Sequence, residues 1–431
     1  MNGRRACWHM FFMGLFIKTQ VHLIGYIGLS ELVIVFVAPF IFLKNYTAMK
    51  RDGMMPIMNL ALMAIVGSVL SSLANGSDFA RFIRGFAQTY TTWAALVVGY
   101  HLLRQNLLSY RWFLLGGFLS GLLSIYIMQG AAVTYGGFER TGDEAVEAVT
   151  TSVLFFTGRI LPAINLPLTM FYLQCPYLYA VIAPIMCAIL SLWMSDGSGR
   201  GGFVVSILSA LIILLAGRQG RGLRMVKKNF WLLIIIGIVA LSGAKSVYSW
   251  AASSGRLGEN AERKFIAQTQ RGSDALSILI SGRTDFFVGL YACLQKPIVG
   301  YGPWPADRYG YRAYFLTKYG TDDDIRNAYE YADRFAMKTI PAHSHIVGYW
   351  LEYGILGLPF WLYVLWLMFR YFRHDIDKAP ALFGWLALAI PGWAWGILFA
   401  PYASRVGIPV LIVVLILIRA KNRQLPQIIW R

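Results

Sequence analysis

The stretch Ser195–Gly217, "SDGSGRGGFVVSILSALIILLAG", decides how this chain is read. Seven polar or glycine residues and Arg200 lead without interruption into an apolar run. A run of that kind is long enough to cross most of a hydrocarbon core as a helix, at about 1.5 Å per residue. A glycine-rich turn that opens a helix also presents free backbone N–H groups and the positive end of the dipole, which together favour an anion. Arg200 adds a permanent charge whose fork fits phosphate oxygens. The plainer alternative is a tight hairpin with Arg200 reaching up to lipid headgroups.

The rest of the chain has the same character. Of its 431 residues 57% are hydrophobic and only 14% charged, against roughly 25% charged in soluble domains. Mean hydropathy is +0.54. We read twelve spans, at 7–24, 26–43, 55–74, 86–103, 110–128, 152–172, 175–194, 201–217, 229–249, 344–370, 380–399 and 401–418. The first pair is the weakest, because Lys18 interrupts it. The N-terminus reads as an uncleaved signal anchor, since no small-residue cleavage site follows its apolar stretch.

A net charge of +18 would point to nucleic acid in a soluble protein. Here the lysines and arginines gather in short connections at 44–53, 104–111, 218–228 and 370–378 and in the tail at 419–424. All five fall on one side if both termini are cytoplasmic, as the positive-inside rule requires. No nucleic-acid partner is therefore expected. Four cysteines without a CxxC pair, three of them in or beside apolar runs, argue against a disulfide or zinc framework.

This orientation divides the chain into N-terminal helices over 1–249, an outer loop over 250–343, and C-terminal helices with a basic tail over 344–431. The outer loop runs to roughly ninety residues, far beyond an ordinary connection. Its apolar stretches predict a small helical cap against the bilayer. "SGRTDFF" at 281–287 places Arg283 at the start of an amphipathic helix, with Asp285 as a nearby partner for it, and "GYGPW" at 300–304 demands a specific turn. "TDDD" at 321–324 reads as a solvated acidic run rather than a cation site.

"IPAHSHIVGYWLEYGILG" at 340–357 places His343, His345 and Glu352 at the mouth of a span. Ser344 is positioned to cap the helix. His345 and Glu352, seven apart, share a face. His343 lies outside the helix, where water reaches it, and imidazole suits proton removal near neutral pH. Glu352 lies two turns deep and needs a partner. The alternative is a pair of interfacial histidines that satisfy helix-end groups.

Three pieces in this order resemble the O-antigen ligase and O-antigen polymerase superfamily of bacterial membrane glycosyltransferases. They are Ser198-Gly199-Arg200-Gly201, then Ser281-Gly282-Arg283 with Pro297, Gly300 and Gly302, then His343-Ser344 with Glu352, Gly354 and Gly357. The resemblance implies an all-α polytopic membrane protein of about 12 transmembrane helices with a GT-C-like arrangement. It implies a multi-pass protein of the bacterial inner membrane with its active site facing the periplasm. The donor would be an undecaprenyl-diphosphate-linked glycan and the acceptor a glycan or lipid A-core, with no cofactor, metal or nucleotide sugar. Arg200 and Arg283 would bind the diphosphate and His343 would be the catalytic base. His345 remains its rival, and Glu352 takes a positioning role. The reading leans to a polymerase of O-antigen, capsule or exopolysaccharide units, because aromatics such as Tyr309, Tyr311 and Tyr314 suit sugar faces. The alternatives are a ligase acting on lipid A-core and, less favoured, a flippase of lipid-linked oligosaccharide, for which the sequence lacks the internal repeat. A chain-length regulator is a further candidate partner.

Overall fold

The computed structural model describes residues 2–16, 20–22, 26–127, 133–135, 138–140, 161–193, 200–217, 222–231, 283–319, 339–378, 382–400 and 407–422, with Trp250, Ser254 and Glu262. The described chain is helical apart from two hairpins of three-residue strands. The helices are α1 (Asn2–Leu15), α2 (Leu29–Arg51), α3 (Met55–Ala74), α4 (Phe79–Gln105), α5 (Ser109–Ile127), α6 (Leu161–Phe171), α7 (Tyr177–Trp193), α8 (Arg200–Ala216), α9 (Leu223–Lys228), α10 (Thr284–Gln295), α11 (Tyr311–Tyr319), α12 (His345–Tyr353), α13 (Leu358–Arg370), α14 (Phe383–Phe399) and α15 (Ile408–Lys421). The strands Gln20–His22 and Tyr26–Gly28 form one hairpin, and Val133–Tyr135 and Phe138–Arg140 the other.

Among the described residues, two helices are long and apolar enough by themselves to cross a membrane, Leu29–Arg51 and Met55–Ala74. Tyr177–Ser191, Gly202–Ala216 and Phe383–Phe399 are shorter apolar helices. The first expected span differs from expectation. Its helix runs from Asn2 and stops at Leu15, and the chain turns back through the first hairpin. Fourteen residues rise only about 21 Å, less than a bilayer core. Lys18, most of the expected span at 229–249, and "TDDD" lie outside the described residues. The expected single span at 344–370 is broken: α12 ends at Gly354, which takes φ +67, and a short 3-10 turn leads to Pro359 and α13.

Close helix contact is made through small residues, as in bilayers, where apolar side chains gain nothing over lipid. α1 lies on α5 with Gly14 against the backbone of Phe113 and Gly116 against that of Phe11. α7 and α8 run antiparallel, since the Tyr177 hydroxyl donates to the Leu214 carbonyl at 2.9 Å and Gly202 faces Ser191. α15 is buried along nearly its whole length and forms the axis of the main core with α4, α13 and α14.

The helix ends sort by chemistry. At one end Arg419 donates to the Leu103 carbonyl at 2.7 Å and Asn422 to that of Asp52 at 2.8 Å. Lys421 sits 4.9 Å over the Trp366 ring. Arg370 pairs with buried Asp375 at 3.1 Å, and Lys227 with Asp377 at 3.2 Å. The basic connections at 44–53, 104–111, 370–378 and 419–424 thus meet at one end, together with Lys227 of the fifth. At the other end Asn75 donates to the Gly300 carbonyl at 3.2 Å and receives a bond from Lys296, and α10 and α11 cover the helix termini.

Candidate active site

The site is built where α10, α11 and α12 meet the end of α14. α10 and α12 share a small apolar core of Val288, Ala292, Cys293, Ile340, Val347 and Leu351. Gly289 lets α10 approach the chain just before His343, because a Cβ there would come within 2.6 Å of the Pro341 carbonyl oxygen. Ile340 N–H donates to the Pro305 carbonyl at 2.9 Å, tying this segment to the loop that leads into α11.

Ser344 caps α12 as its sequence position implies. Its Oγ accepts the Val347 N–H at 3.3 Å and donates to the Ile397 carbonyl at 2.9 Å. Arg283 reaches the same helix end from the start of α10. Its Nη1 donates to the Phe399 carbonyl at 3.0 Å, and its guanidinium lies 5.5 Å from the Trp395 ring. Burial pulls the Arg283 guanidinium below its ordinary pKa. Two carbonyls, two residues apart on α14, therefore hold the segments that carry Arg283 and His343.

Asp285 sits at the centre. It pairs with His343 and Arg312, where the sequence had suggested Arg283. His343 Nδ1 is 3.0 Å from Asp285 Oδ2, and Arg312 Nη2 lies 3.2 Å and 3.4 Å from the two carboxylate oxygens. Burial by itself would raise the Asp285 pKa, but His343 and Arg312 outweigh it and hold the carboxyl below its ordinary value. Asp307 caps α11, accepting the Tyr311 N–H at 2.9 Å and the Arg312 N–H at 2.8 Å. A carboxylate on Nδ1 fixes the proton there and leaves the Nε2 lone pair to accept another. His343 keeps 32% of its side chain exposed, so it is open to solvent.

Residues 183–362 match the model of the family described as O-antigen ligase. Over this stretch the chain is similar to the O-antigen ligase family. No curated protein matches the chain. Members of the family are glycosyltransferase-like membrane enzymes of bacteria. The matched stretch contains Arg200, Arg283, His343, His345 and Glu352, whereas α14, which anchors the site, lies beyond it.

Arg200 opens α8, and its side chain lies outside the described residues. The backbone register still fixes its level. α8 and α14 run antiparallel, because the chain following α8 meets the chain preceding α14 at Lys227 and Asp377. Gly392 faces Val205. Five residues back from Val205 is Arg200, and five forward from Gly392 is Ile397, the residue that receives Ser344. Arg200 therefore starts its helix at the same end of the bundle as Arg283 and His343.

His345 and Glu352 face different neighbours. The His345 ring lies 5.0 Å from that of Trp361. Glu352, buried at 3% exposure, accepts the Trp304 N–H at 3.2 Å through Oε1. The two glycine motifs read separately in the sequence form a single joint here. Tyr301 N–H donates to Leu351 O at 2.7 Å, Gly302 N–H to Glu352 O at 3.2 Å, and Ile355 N–H to Ile298 O at 3.1 Å. Gly300 at φ +73 and Gly354 at φ +67 make this possible. A Cβ on Gly300 would come within 2.7 Å of Leu351 O. Trp304 takes φ 47, an uncommon conformation for a bulky residue, with Arg84 4.9 Å over its ring. The role of Arg312 had no signal in the sequence, since nothing local marks an arginine that binds a carboxylate 27 residues earlier.

Proposed function

We propose that this protein transfers a glycan from a polyisoprenyl diphosphate to a sugar hydroxyl, at the outer face of the bacterial inner membrane and without a metal ion. The observation that carries this reading is the Asp285–His343 pair, 3.0 Å apart, beside Arg283 on the same helix end. In this reading His343 Nε2 takes the proton of the acceptor hydroxyl. The oxygen attacks the anomeric carbon, and the bond from that carbon to the diphosphate oxygen breaks. Arg283 and Arg200 hold the charge that develops on the departing diphosphate, in the manner of donors placed ahead of the transition state. Asp285 stabilises the imidazolium and keeps its orientation. Glu352 serves as a positioning group through the Trp304 loop.

The gathering of basic connections at one end supports the assignment of that end to the cytoplasm and of the site to the periplasm. A multi-pass, GT-C-like bundle of about twelve spans is part of this proposal. A diphosphate carrier then approaches at headgroup depth, level with the start of α8.

Polymerisation of O-antigen, capsule or exopolysaccharide units is the preferred form of the reaction. Tyr309 and Tyr314 are 71% and 50% exposed on the cap, and Tyr309 stacks on Tyr311 with centroids 5.4 Å apart, a surface suited to a growing saccharide. Ligation to lipid A-core is the second reading, favoured by the description of the matched family. Replacing His343 and His345 singly by alanine and following glycan length in cells tests both. His343→Ala leaves single-unit glycans without polymer if the protein polymerises. It leaves long lipid-linked chains and bare lipid A if the protein ligates. Stranding of lipid-linked units on the cytoplasmic leaflet, or full activity of His343→Ala, refutes glycan transfer through this residue.

A further inference from the structure

Arg312 lies outside every motif of the sequence, yet it completes the site. It is the second residue of α11, and its backbone N–H is fixed by Asp307 at 2.8 Å. Its Nη2 is shared between both oxygens of Asp285, at 3.2 Å and 3.4 Å. Both partners are largely shielded from water, with side chains 15% and 24% exposed, so their attraction is only partly screened.

We propose that Arg312 is a positioning residue for glycan transfer: it clamps the Asp285 carboxylate against His343 Nδ1 and offsets part of the carboxylate's charge. This rests on the role given to His343 above. The described charged and titratable groups near this pair are Asp285 and Arg283 on α10, Arg312 on α11, Asp307 at the cap of α11, and His345 on α12. An isolated aspartate beside an imidazole favours the protonated ring. A cation on the far side of that aspartate opposes this effect. Loss of the Arg312 charge therefore makes the Asp285–His343 pair take up its proton at higher pH, and the shift belongs to the pair. The same loss frees the carboxylate to rotate, which weakens its hold on Nδ1.

The test uses the full-length protein in lipid nanodiscs, with a short-chain polyprenyl-diphosphate oligosaccharide as donor. Arg312→Gln is expected to lower kcat about tenfold with little change in donor KM, and to move the acidic limb of the pH–rate profile up by about one unit. Arg312→Lys keeps the charge and is expected to leave that limb near its wild-type position while recovering part of kcat. A second readout needs no turnover: the pH dependence of His343 carbethoxylation by diethyl pyrocarbonate, followed by peptide mass spectrometry. Its midpoint is expected to rise in Arg312→Gln and to stay in Arg312→Lys. An unmoved midpoint and limb in folded Arg312→Gln overturn the proposal, as does a loss confined to KM. If Arg312→Gln does not fold, a shifted limb and midpoint in Arg312→Lys overturn it, and wild-type positions support it. If wild-type protein transfers no glycan, the proposed function falls, while the carbethoxylation midpoint still decides whether Arg312 governs the pair.

Discussion

Asp285→Asn is the substitution that bears most directly on the chemistry. The side chain keeps its size but loses the charge that His343 Nδ1 meets at 3.0 Å and that Arg312 meets at 3.2 Å. The amide no longer fixes the imidazole tautomer. It also withdraws the anion that stabilises the imidazolium as the acceptor proton moves. Where a buried carboxylate orients a catalytic histidine, its conversion to the amide costs up to about 10⁴ in kcat. His343 is partly exposed, so water supplies some of the lost orientation. A fall of about 10²–10³ is expected, which corresponds to about 3–4 kcal/mol of barrier. Donor KM should change little, because Arg283 is bonded to the Phe399 carbonyl rather than to Asp285. The assay is consumption of a radiolabelled polyisoprenyl-diphosphate glycan by protein in lipid nanodiscs. The double variant Asp285→Asn/His343→Ala should be no slower than His343→Ala alone, since groups that act as a unit are not additive. Activity of Asp285→Asn within threefold of wild type, or full additivity in the double variant, refutes the dyad.

Two further predictions concern the scaffold. Gly354→Ala places a side chain at φ +67, ψ −160, a region essentially closed to other residues at a cost of about 1–3 kcal/mol, and drives its Cβ into the Ile298 carbonyl. The thermal midpoint in detergent should fall, and an unchanged midpoint contradicts the joint between the two glycine motifs. The depressed Asp285 pKa gives stability that is whole above the ordinary carboxylate value of about 3.9 and is lost as pH falls through its lower folded value. Wild type should therefore lose more thermal stability between pH 5 and pH 2.5 than Asp285→Asn does; equal losses contradict the pairing.

Much of the helical architecture was legible because apolar runs and basic connections are local signals. α3, α7, α8 and α14 fall close to the spans read from hydropathy. The first span was not legible, because an apolar run does not reveal where the backbone turns back, and the hairpin at Gln20–Gly28 ends it early. The break at Gly354 was also hidden within an apolar run. There the loop at 298–302 hydrogen-bonds to the 351–355 turn, and Gly354 takes a positive φ that a continuous helix does not allow. In the site, Ser344 was readable as a cap because the capping residue sits three positions before the N–H it accepts. The partner of Asp285 was not. Proximity in sequence favoured Arg283, but α10 turns Arg283 toward α14 and Asp285 toward His343. Arg312 depends on the fold of the cap alone.

The C-terminal turn of Phe383–Phe399 has a mechanical consequence. Its backbone is a single stiff mount bearing both the candidate base, through Ser344 at Ile397, and the candidate phosphate ligand, through Arg283 at Phe399. A tilt of that rod carries both groups along together and leaves their separation nearly constant. Pressure on this rod would thus move Arg283 and the segment bearing His343 as one unit.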